Sequence, residues 1–185
     1  MIFYGKIKEH KEIRNNLLEL IDTADAEPVR QSSEYYNDDI TRSDWSIAGN
    51  YERPWVKKLL PHFMAETLKM TNLAGYKNFE LFEIWFQQYA QNSTHGWHIH
   101  GRNYTGVYYL QFDGSAKTQI WNNEVIDLNC EEGDIVMFPS FMIHRAPPVQ
   151  NNNTKTIISF NLEFKDIDKS KLEEITRAGC TTTIR

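Results

Sequence analysis

Three of the six histidines of this 185-residue chain lie between positions 95 and 100. His98 and His100 are two residues apart. On an extended segment side chains alternate between faces, so both imidazoles would point to the same side. Imidazole is a good ligand for Fe, Zn, Cu or Ni. One such pair among six histidines is a weak signal by itself. His144 follows an apolar run at 135–138, and we predict that it returns to the same metal from a distant strand.

A second candidate is Lys155, at the start of the last predicted strand. Extended backbone would place it on one face with Ile157, Ser159 and Asn161, opposite an apolar face. A polar strand face of this kind indicates a lined cavity, in which a cation could pair with the carboxylate of a small acid. The alternative interpretation, a surface lysine that opens a strand, stays open on spacing alone.

The composition limits the class of protein. A hydrophobic fraction of 41% and a net charge of −5 are typical of a globular chain and argue against nucleic-acid binding. Cys130 and Cys180 do not form a disulfide framework or a zinc-ribbon pattern. The sequence has no signal-peptide pattern and no apolar run long enough for a membrane helix. We therefore expect a soluble cytoplasmic protein, for which a homodimer is plausible.

The predicted helices come mainly in the first part of the chain, and the predicted strands follow them. Helices are expected at 8–23 and 54–72, with Pro61 kinking or dividing the second, and residues 29–53 are expected to be mainly loop. Seven or eight short strands follow, and a closing helix is expected at 166–177. We predict a single domain, 1–185: helical N-terminal support (1–78), a β core (79–164), and a C-terminal helix and tail (165–185). The fold class is mainly β with flanking α, an antiparallel sandwich or jelly roll.

Four blocks of the sequence, in the same order, resemble the prolyl-hydroxylase-like 2-oxoglutarate and Fe(II)-dependent dioxygenases, and most of all the 2OG-Fe(II) oxygenases of marine bacteria and phages. The blocks are YAQNSTHGWHIH (89–100), TGVYYL (105–110), GDIVMFPSFMIHRAPP (133–148) and KTIISFN (155–161). The resemblance covers residues 79–164. It implies a cupin-like double-stranded β-helix that uses Fe(II), 2-oxoglutarate as co-substrate and O₂.

The resemblance also implies roles for individual residues. His98 and His144 match the first and the distal metal ligand, and Lys155 matches the basic residue that grips the far carboxylate of 2-oxoglutarate. Tyr109 matches a strand position whose hydroxyl helps to hold that carboxylate. Tyr89 and Asn161 match cavity-lining positions.

Two departures from the family pattern change its expected chemistry. His100 stands where most members have Asp or Glu, so three neutral imidazoles would leave Fe(II) its full double charge until 2-oxoglutarate arrives. We expect weaker metal retention in the absence of the co-substrate. Lys155 replaces the commoner Arg, and an ammonium is a point charge rather than a bidentate fork. Ile157 removes one hydrogen bond to the carboxylate.

The activity implied is oxidative decarboxylation of 2-oxoglutarate coupled to oxidation of a small-molecule or peptide substrate, with hydroxylation as the default outcome. Two other classes remain open. One is a cupin-type three-His enzyme that does not use 2-oxoglutarate, either a dioxygenase or a zinc hydrolase. The other is a non-catalytic jelly-roll binding module. For His95, two roles are equally favoured: support of the metal ligands from behind, or a structural role. Arg145 is interpreted either as a surface residue or as a partner for a substrate carboxylate.

Overall fold

The computed structural model describes residues 1–34 and 37–177, and its strands form two antiparallel sheets. The seven-stranded major sheet has the order β1-β9-β6-β11-β4-β3-β2, and the four-stranded minor sheet has the order β5-β10-β7-β8. The strands are β1 (Phe3–Lys6), β2 (Glu27–Ser32), β3 (Asn37–Ser43), β4 (Tyr76–Tyr89), β5 (His95–His98), β6 (Tyr104–Gln111), β7 (Gln119–Trp121), β8 (Val125–Asp127), β9 (Asp134–Pro139), β10 (His144–Ala146) and β11 (Lys155–Ile167). The helices are α1 (His10–Asp22), α2 (Pro54–Leu73) and α3 (Lys169–Arg177).

The strand β11 lies at the centre of the major sheet, paired with β4 on one side and β6 on the other. Its alternating sequence separates two cores. Ile158 and Phe160 belong to the cluster that includes side chains of α1 and α2, whereas Ile157 belongs to a second cluster with residues of β6 and β10. Period-2 alternation therefore directs one face of β11 towards the helices and the other into the space between the sheets.

The helix α2 begins at Pro54, whose fixed φ suits the first helical position. Pro61 lies inside it, but the helix is continuous, so the expectation that Pro61 might divide it is wrong. The buried stripe of α2 comprises Trp55, Val56, Leu59, Phe63, Thr67, Met70 and Thr71. This apolar face fixes the helix against the major sheet.

Residues 29–53 are not mainly loop, which corrects the prediction from sequence. The strands β2 and β3 form a hairpin that extends the major sheet beyond β4, and a short 3-10 turn follows at Trp45–Ile47. The N-terminal 78 residues thus contribute strands as well as helices. Five of the six residues of β2 are exposed, so the strand lacks the alternating apolar pattern by which strands are recognised.

A buried ion pair ties this segment to β4. Asp44 pairs with Arg53 and also accepts hydrogen bonds from Trp55 Nε1 and from the backbone amide of Phe86, each at 2.9 Å. Because all these donors converge on one fully buried carboxylate, the start of α2 and the middle of β4 are held in fixed relation.

The architecture confirms the fold class predicted from the sequence, a jelly roll with two antiparallel sheets and flanking helices. Within residues 1–34 and 37–177, no helix is both long and apolar enough to cross a membrane. The predicted tail at 178–185, including Cys180, lies outside the described residues. The assignment of the whole chain to one domain stays a prediction.

Candidate metal centre

Three histidines converge between the two sheets, as predicted. His98 ends β5 and His144 begins β10, and the antiparallel ladder places them directly opposite each other. His100 follows β5, where its backbone amide donates to the carbonyl of Ser140 at 3.0 Å. One nitrogen from each imidazole lies within 4.8 Å of the other two. The site therefore joins two segments that are distant in sequence.

Backbone carbonyls orient two of these rings. The Nδ1 atoms of His98 and His144 lie 2.7 Å from the carbonyl of Gly96 and 2.9 Å from that of Met142. A carbonyl can only accept, so each Nδ1 carries the proton and each Nε2 keeps a free lone pair. A backbone partner of this kind fixes the tautomer of a metal-binding histidine.

Burial favours the neutral form of all three imidazoles. Desolvation lowers the pKa of His98 and that of His144, and it lowers the pKa of His100 to about 3. The nearby His98 adds a smaller lowering effect on the other two. Neutral imidazole is the metal-binding form, so the cluster is ready to accept a divalent ion without releasing protons. Three nitrogen donors fit Fe(II), and they also fit Zn(II).

His95 lies behind the cluster rather than in it. Its ring stacks on that of His98, with centroids 3.8 Å apart and planes 21° apart. Its Nδ1 lies 3.4 Å from Gln87 Nε2, and the Gln87 side-chain oxygen accepts from Ser159 at 2.9 Å. Since the amide nitrogen of Gln87 can only donate, Nδ1 of His95 is the acceptor in that contact. His95 therefore packs against a candidate ligand and is held by β4 and β11.

Lys155 is buried in the core between the sheets, not on the surface. It is 4% exposed, and its Nζ donates to the carbonyl of Ala116 at 2.6 Å. Desolvation lowers its pKa to about 8. The cation also lies over aromatic rings, 5.4 Å from the centroid of Tyr89 and 5.6 Å from that of Phe112.

The two tyrosines near Lys155 differ in their hydrogen bonding. Tyr109 donates its hydroxyl proton to Thr118 Oγ1 at 2.8 Å, and the role predicted for it stays a prediction. The hydroxyl of Tyr89 is fully buried and has no hydrogen-bond partner among the described residues. Because an unpaired buried hydroxyl is costly, Tyr89 marks a place where an acceptor is missing. Asn161, the other predicted cavity residue, instead donates to Glu83 at 2.6 Å.

Two cavities border the histidines and differ greatly in size. The inner one, between the sheets, is lined by His98, His144 and Tyr89 among others and has a volume of about 20 Å³. The outer one, of about 290 Å³, lies between β5 and the β2–β3 hairpin and also touches His98 and His100. A dicarboxylic acid enters the inner space only if side chains there move, whereas the outer cavity already has room for part of a substrate.

The sequence did not identify which individual residues form the outer wall. Asp38 and Trp45 line the outer cavity, but both lie in the stretch predicted as loop. Trp97 also lines the outer cavity, and the guanidinium of Arg145 lies 4.5 Å from its ring centroid. Arg145 also donates from Nε to Gln119 at 2.7 Å. The signal that could have identified the hairpin was the buried Ile40 in β3.

The two-sheet fold is similar to that of solved 2-oxoglutarate and Fe(II) oxygenases. No protein-family model matches the chain. No curated protein matches it either. The evidence for the fold comes from solved structures, and it confirms the fold that the resemblance implies.

Three of these structures illustrate the likeness. A 2OG-Fe(II) oxygenase family oxidoreductase from Burkholderia pseudomallei is 14% identical with a TM-score of 0.64, over 83% of this chain and 79% of that one. A prolyl hydroxylase from Trichoplax adhaerens, in complex with a hypoxia inducible factor peptide, has the same identity and TM-score over 98% of this chain and 87% of its own. The non-heme α-ketoglutarate-dependent epimerase SnoN from nogalamycin biosynthesis is 11% identical with a TM-score of 0.62, over 87% and 77%.

Proposed function

We propose that the protein is a non-haem Fe(II)- and 2-oxoglutarate-dependent dioxygenase in which His98, His100 and His144 hold the metal. The observation that carries the proposal is the combination of three converging neutral imidazoles with under-satisfied donors in the same core. The shared fold of the 2OG-Fe(II) oxygenases supports it. In this proposal Lys155 grips the far carboxylate of 2-oxoglutarate.

The donors around Lys155 suit a carboxylate better than any other group. An ammonium has three protons, and among the described residues Lys155 donates only to the carbonyl of Ala116. The hydroxyl of Tyr89, whose ring centroid lies 5.4 Å from Lys155 Nζ, has no partner among the described residues. A carboxylate supplies acceptors and a counter-charge for a buried cation that has no ion-pair partner among the described residues.

When bound, Fe(II) would supply the redox chemistry that couples decarboxylation of 2-oxoglutarate to succinate and CO₂ with oxidation of the substrate by O₂. The residues of the chain would hold the metal, orient the co-substrate and exclude water. His98 and His144 present Nε2 from rings fixed by backbone carbonyls, and Lys155 orients the co-substrate by its far end. The apolar side chains of Phe138 and Ile157 keep water from the space between the sheets.

The proposed substrate is a small molecule or a peptide, and hydroxylation is the proposed outcome. The peptide complex of the Trichoplax prolyl hydroxylase and the epimerase activity of SnoN show that this fold serves both substrate types and more than one outcome in those proteins. A cytoplasmic location and a homodimer stay predictions.

A three-His enzyme that does not use 2-oxoglutarate is the alternative, and the chemistry of the three donors allows it. Lys155 and Tyr89 argue against it, because that alternative gives neither group a task. A non-catalytic module, in which the three histidines hold a structural metal or none, gives Lys155 and Tyr89 no task either.

The test is thermal unfolding of the protein with Mn(II), with 2-oxoglutarate, with both, and with succinate as a shorter dicarboxylate. Stabilisation that needs Mn(II) and 2-oxoglutarate together is expected, because each ligand completes the binding site of the other. Equal stabilisation by Mn(II) or Zn(II) alone, with no added effect of 2-oxoglutarate, would favour the alternative. His144→Ala should lose the stabilisation by Mn(II) and 2-oxoglutarate. The matched control His62→Ala should keep it, since His62 lies on α2 away from the cluster.

A further inference from the structure

The outer cavity holds an acidic side chain, Asp38, to which the proposed oxygenase chemistry gives no role. Asp38 and the indole rings of Trp45, Trp85 and Trp97 line it, and no lysine or arginine does so among the described residues. The side chain of Asp38 is 12% exposed. A carboxylate is thus held in a largely apolar wall beside the three histidines.

Among the described residues, Asp38 accepts a hydrogen bond but has no lysine or arginine to balance its charge. Its Oδ1 accepts from the amide of Gly96 at 2.8 Å. His95 Nε2 lies 3.9 Å away, beyond hydrogen-bonding distance. Within the described chain, Asp38 forms no ion pair with a lysine or an arginine, whereas its neighbour Asp39 pairs with Arg30 at 3.4 Å. Buried charges are normally paired, and apart from the metal ion proposed at the neighbouring histidines no described residue supplies Asp38 with a counter-charge.

The aromatic walls are suited to a cation. The guanidinium of Arg145 already lies over Trp97, 4.5 Å from its ring centroid. Over Trp45 and Trp85 the described residues place no cation. Trp85 is 3% exposed at the back of the cavity and also contacts His100, while Trp45 is 55% exposed at its mouth. Indole faces attract ammonium and guanidinium groups, most strongly where water is excluded.

We infer that the outer cavity binds an organic cation, an ammonium or guanidinium group of the primary substrate, with Asp38 as its counter-charge and Trp45 and Trp85 as its walls. The assignment to the substrate rests on the proposed oxygenase function, because the cavity touches two of the three proposed metal ligands. A cation held there brings the neighbouring carbon atoms of the same molecule towards His98 and His100.

The experiment measures binding of two probes to the full chain loaded with Mn(II) and 2-oxoglutarate, by calorimetry. Choline carries a trimethylammonium group, and 3,3-dimethylbutan-1-ol is its neutral isostere. Choline is expected to bind about tenfold more tightly than the isostere, a ratio that a charged hydrogen bond and ring contacts can supply. Equal binding of the two probes would overturn the inference.

Asp38→Asn keeps an oxygen for the Gly96 amide and removes the charge. It is expected to lower choline affinity about tenfold and leave the isostere unchanged. Asp39→Asn removes a charge from the same hairpin and should leave choline binding intact. Trp45→Leu, at an exposed position, should weaken choline about two- to fivefold. Equal losses in Asp38→Asn and Asp39→Asn would show a general charge effect and overturn the inference.

Binding of Mn(II) and 2-oxoglutarate is measured before choline is added, so failure of one proposal can be distinguished from failure of the other. If Mn(II) and 2-oxoglutarate stabilise the protein together but choline does not bind, the cation inference fails and the oxygenase proposal stands. If choline binds in the Asp38-dependent manner but 2-oxoglutarate has no effect, the proposed function fails and the assignment of the cation to a dioxygenase substrate fails with it.

Discussion

His98 and His144 lie directly opposite each other in the ladder between β5 and β10, with ring centroids 4.2 Å apart. The ladder brings two imidazoles together from segments distant in sequence, and the Ser140 carbonyl brings His100 to them. The three-His cluster therefore exists only when the minor sheet has formed. Metal binding is expected to stabilise that sheet, because the unfolded chain has no such site.

The replacement of the usual carboxylate by His100 is expected to couple metal and co-substrate binding. Three neutral imidazoles leave the ion its double charge, which the 2-oxoglutarate dianion offsets. In the wild type, 2-oxoglutarate should raise Mn(II) affinity about tenfold or more, within the usual range of coupling between two sites. In His100→Asp the resting affinity should rise and the coupling should shrink. Mn(II) titrations with and without 2-oxoglutarate measure both quantities. Tight Mn(II) binding by the wild type without 2-oxoglutarate would contradict this account.

Lys155→Met should separate stability from co-substrate binding. It removes a buried cation that has one carbonyl partner, so the protein without ligands should unfold at the same or a higher temperature. The added stabilisation by 2-oxoglutarate should disappear. Lys165→Met is the matched control, because Lys165 lies on the same strand but pairs at the surface with Glu163 and Glu80. A variant of Lys155 that still responds to 2-oxoglutarate would remove this residue from the proposed site.

The pH dependence of the free energy of unfolding should show that Lys155 is a buried cation. Burial lowers the pKa of Lys155 from 10.5 to about 8. Between these values the unfolded chain keeps a proton that the folded protein has released, so the free energy of unfolding rises with pH. The effect approaches about 3 kcal/mol over the whole window, at about 1.4 kcal/mol per pH unit. Denaturation at pH 8, 9 and 10 should show the stability gap between Lys155→Met and the wild type closing. A gap that is constant with pH would mean that Lys155 is not buried as a cation.

Asp44→Ala tests the link between the N-terminal segment and β4. It leaves the buried Arg53 without its partner and frees Trp55 Nε1 and the Phe86 amide. Breaking a buried pair by removing one member typically costs about 3–5 kcal/mol. Chemical denaturation should show a loss of that order, whereas Asp39→Ala, at an exposed pair, should cost under about 1 kcal/mol. Similar losses in the two variants would contradict the structural role of Asp44.

The three-histidine cluster could be predicted because part of its signal is local. The spacing of His98 and His100 puts both on one face, and the order of blocks around His144 and Lys155 resembles a known family. The alternation along β11 likewise predicted a polar face and an apolar face, and both are present.

The β2–β3 hairpin could not be predicted in this way because it is an edge of the sheet. Five of the six residues of β2 are exposed and β3 has two buried positions, so neither strand carries an apolar period, and the pairing of β3 with β4 is set by tertiary contacts. Asp38 and Trp45 were missed for the same reason. The unpaired hydroxyl of Tyr89 depends on side-chain positions that no sequence pattern encodes.

The most direct test of the central claim is a crystal structure with Mn(II) and 2-oxoglutarate, in which anomalous scattering locates the metal. The account predicts one peak within bonding distance of nitrogens from His98, His100 and His144, with the far carboxylate of 2-oxoglutarate against Lys155. A peak that excludes any of these three imidazoles, or a 2-oxoglutarate held away from Lys155, would contradict it.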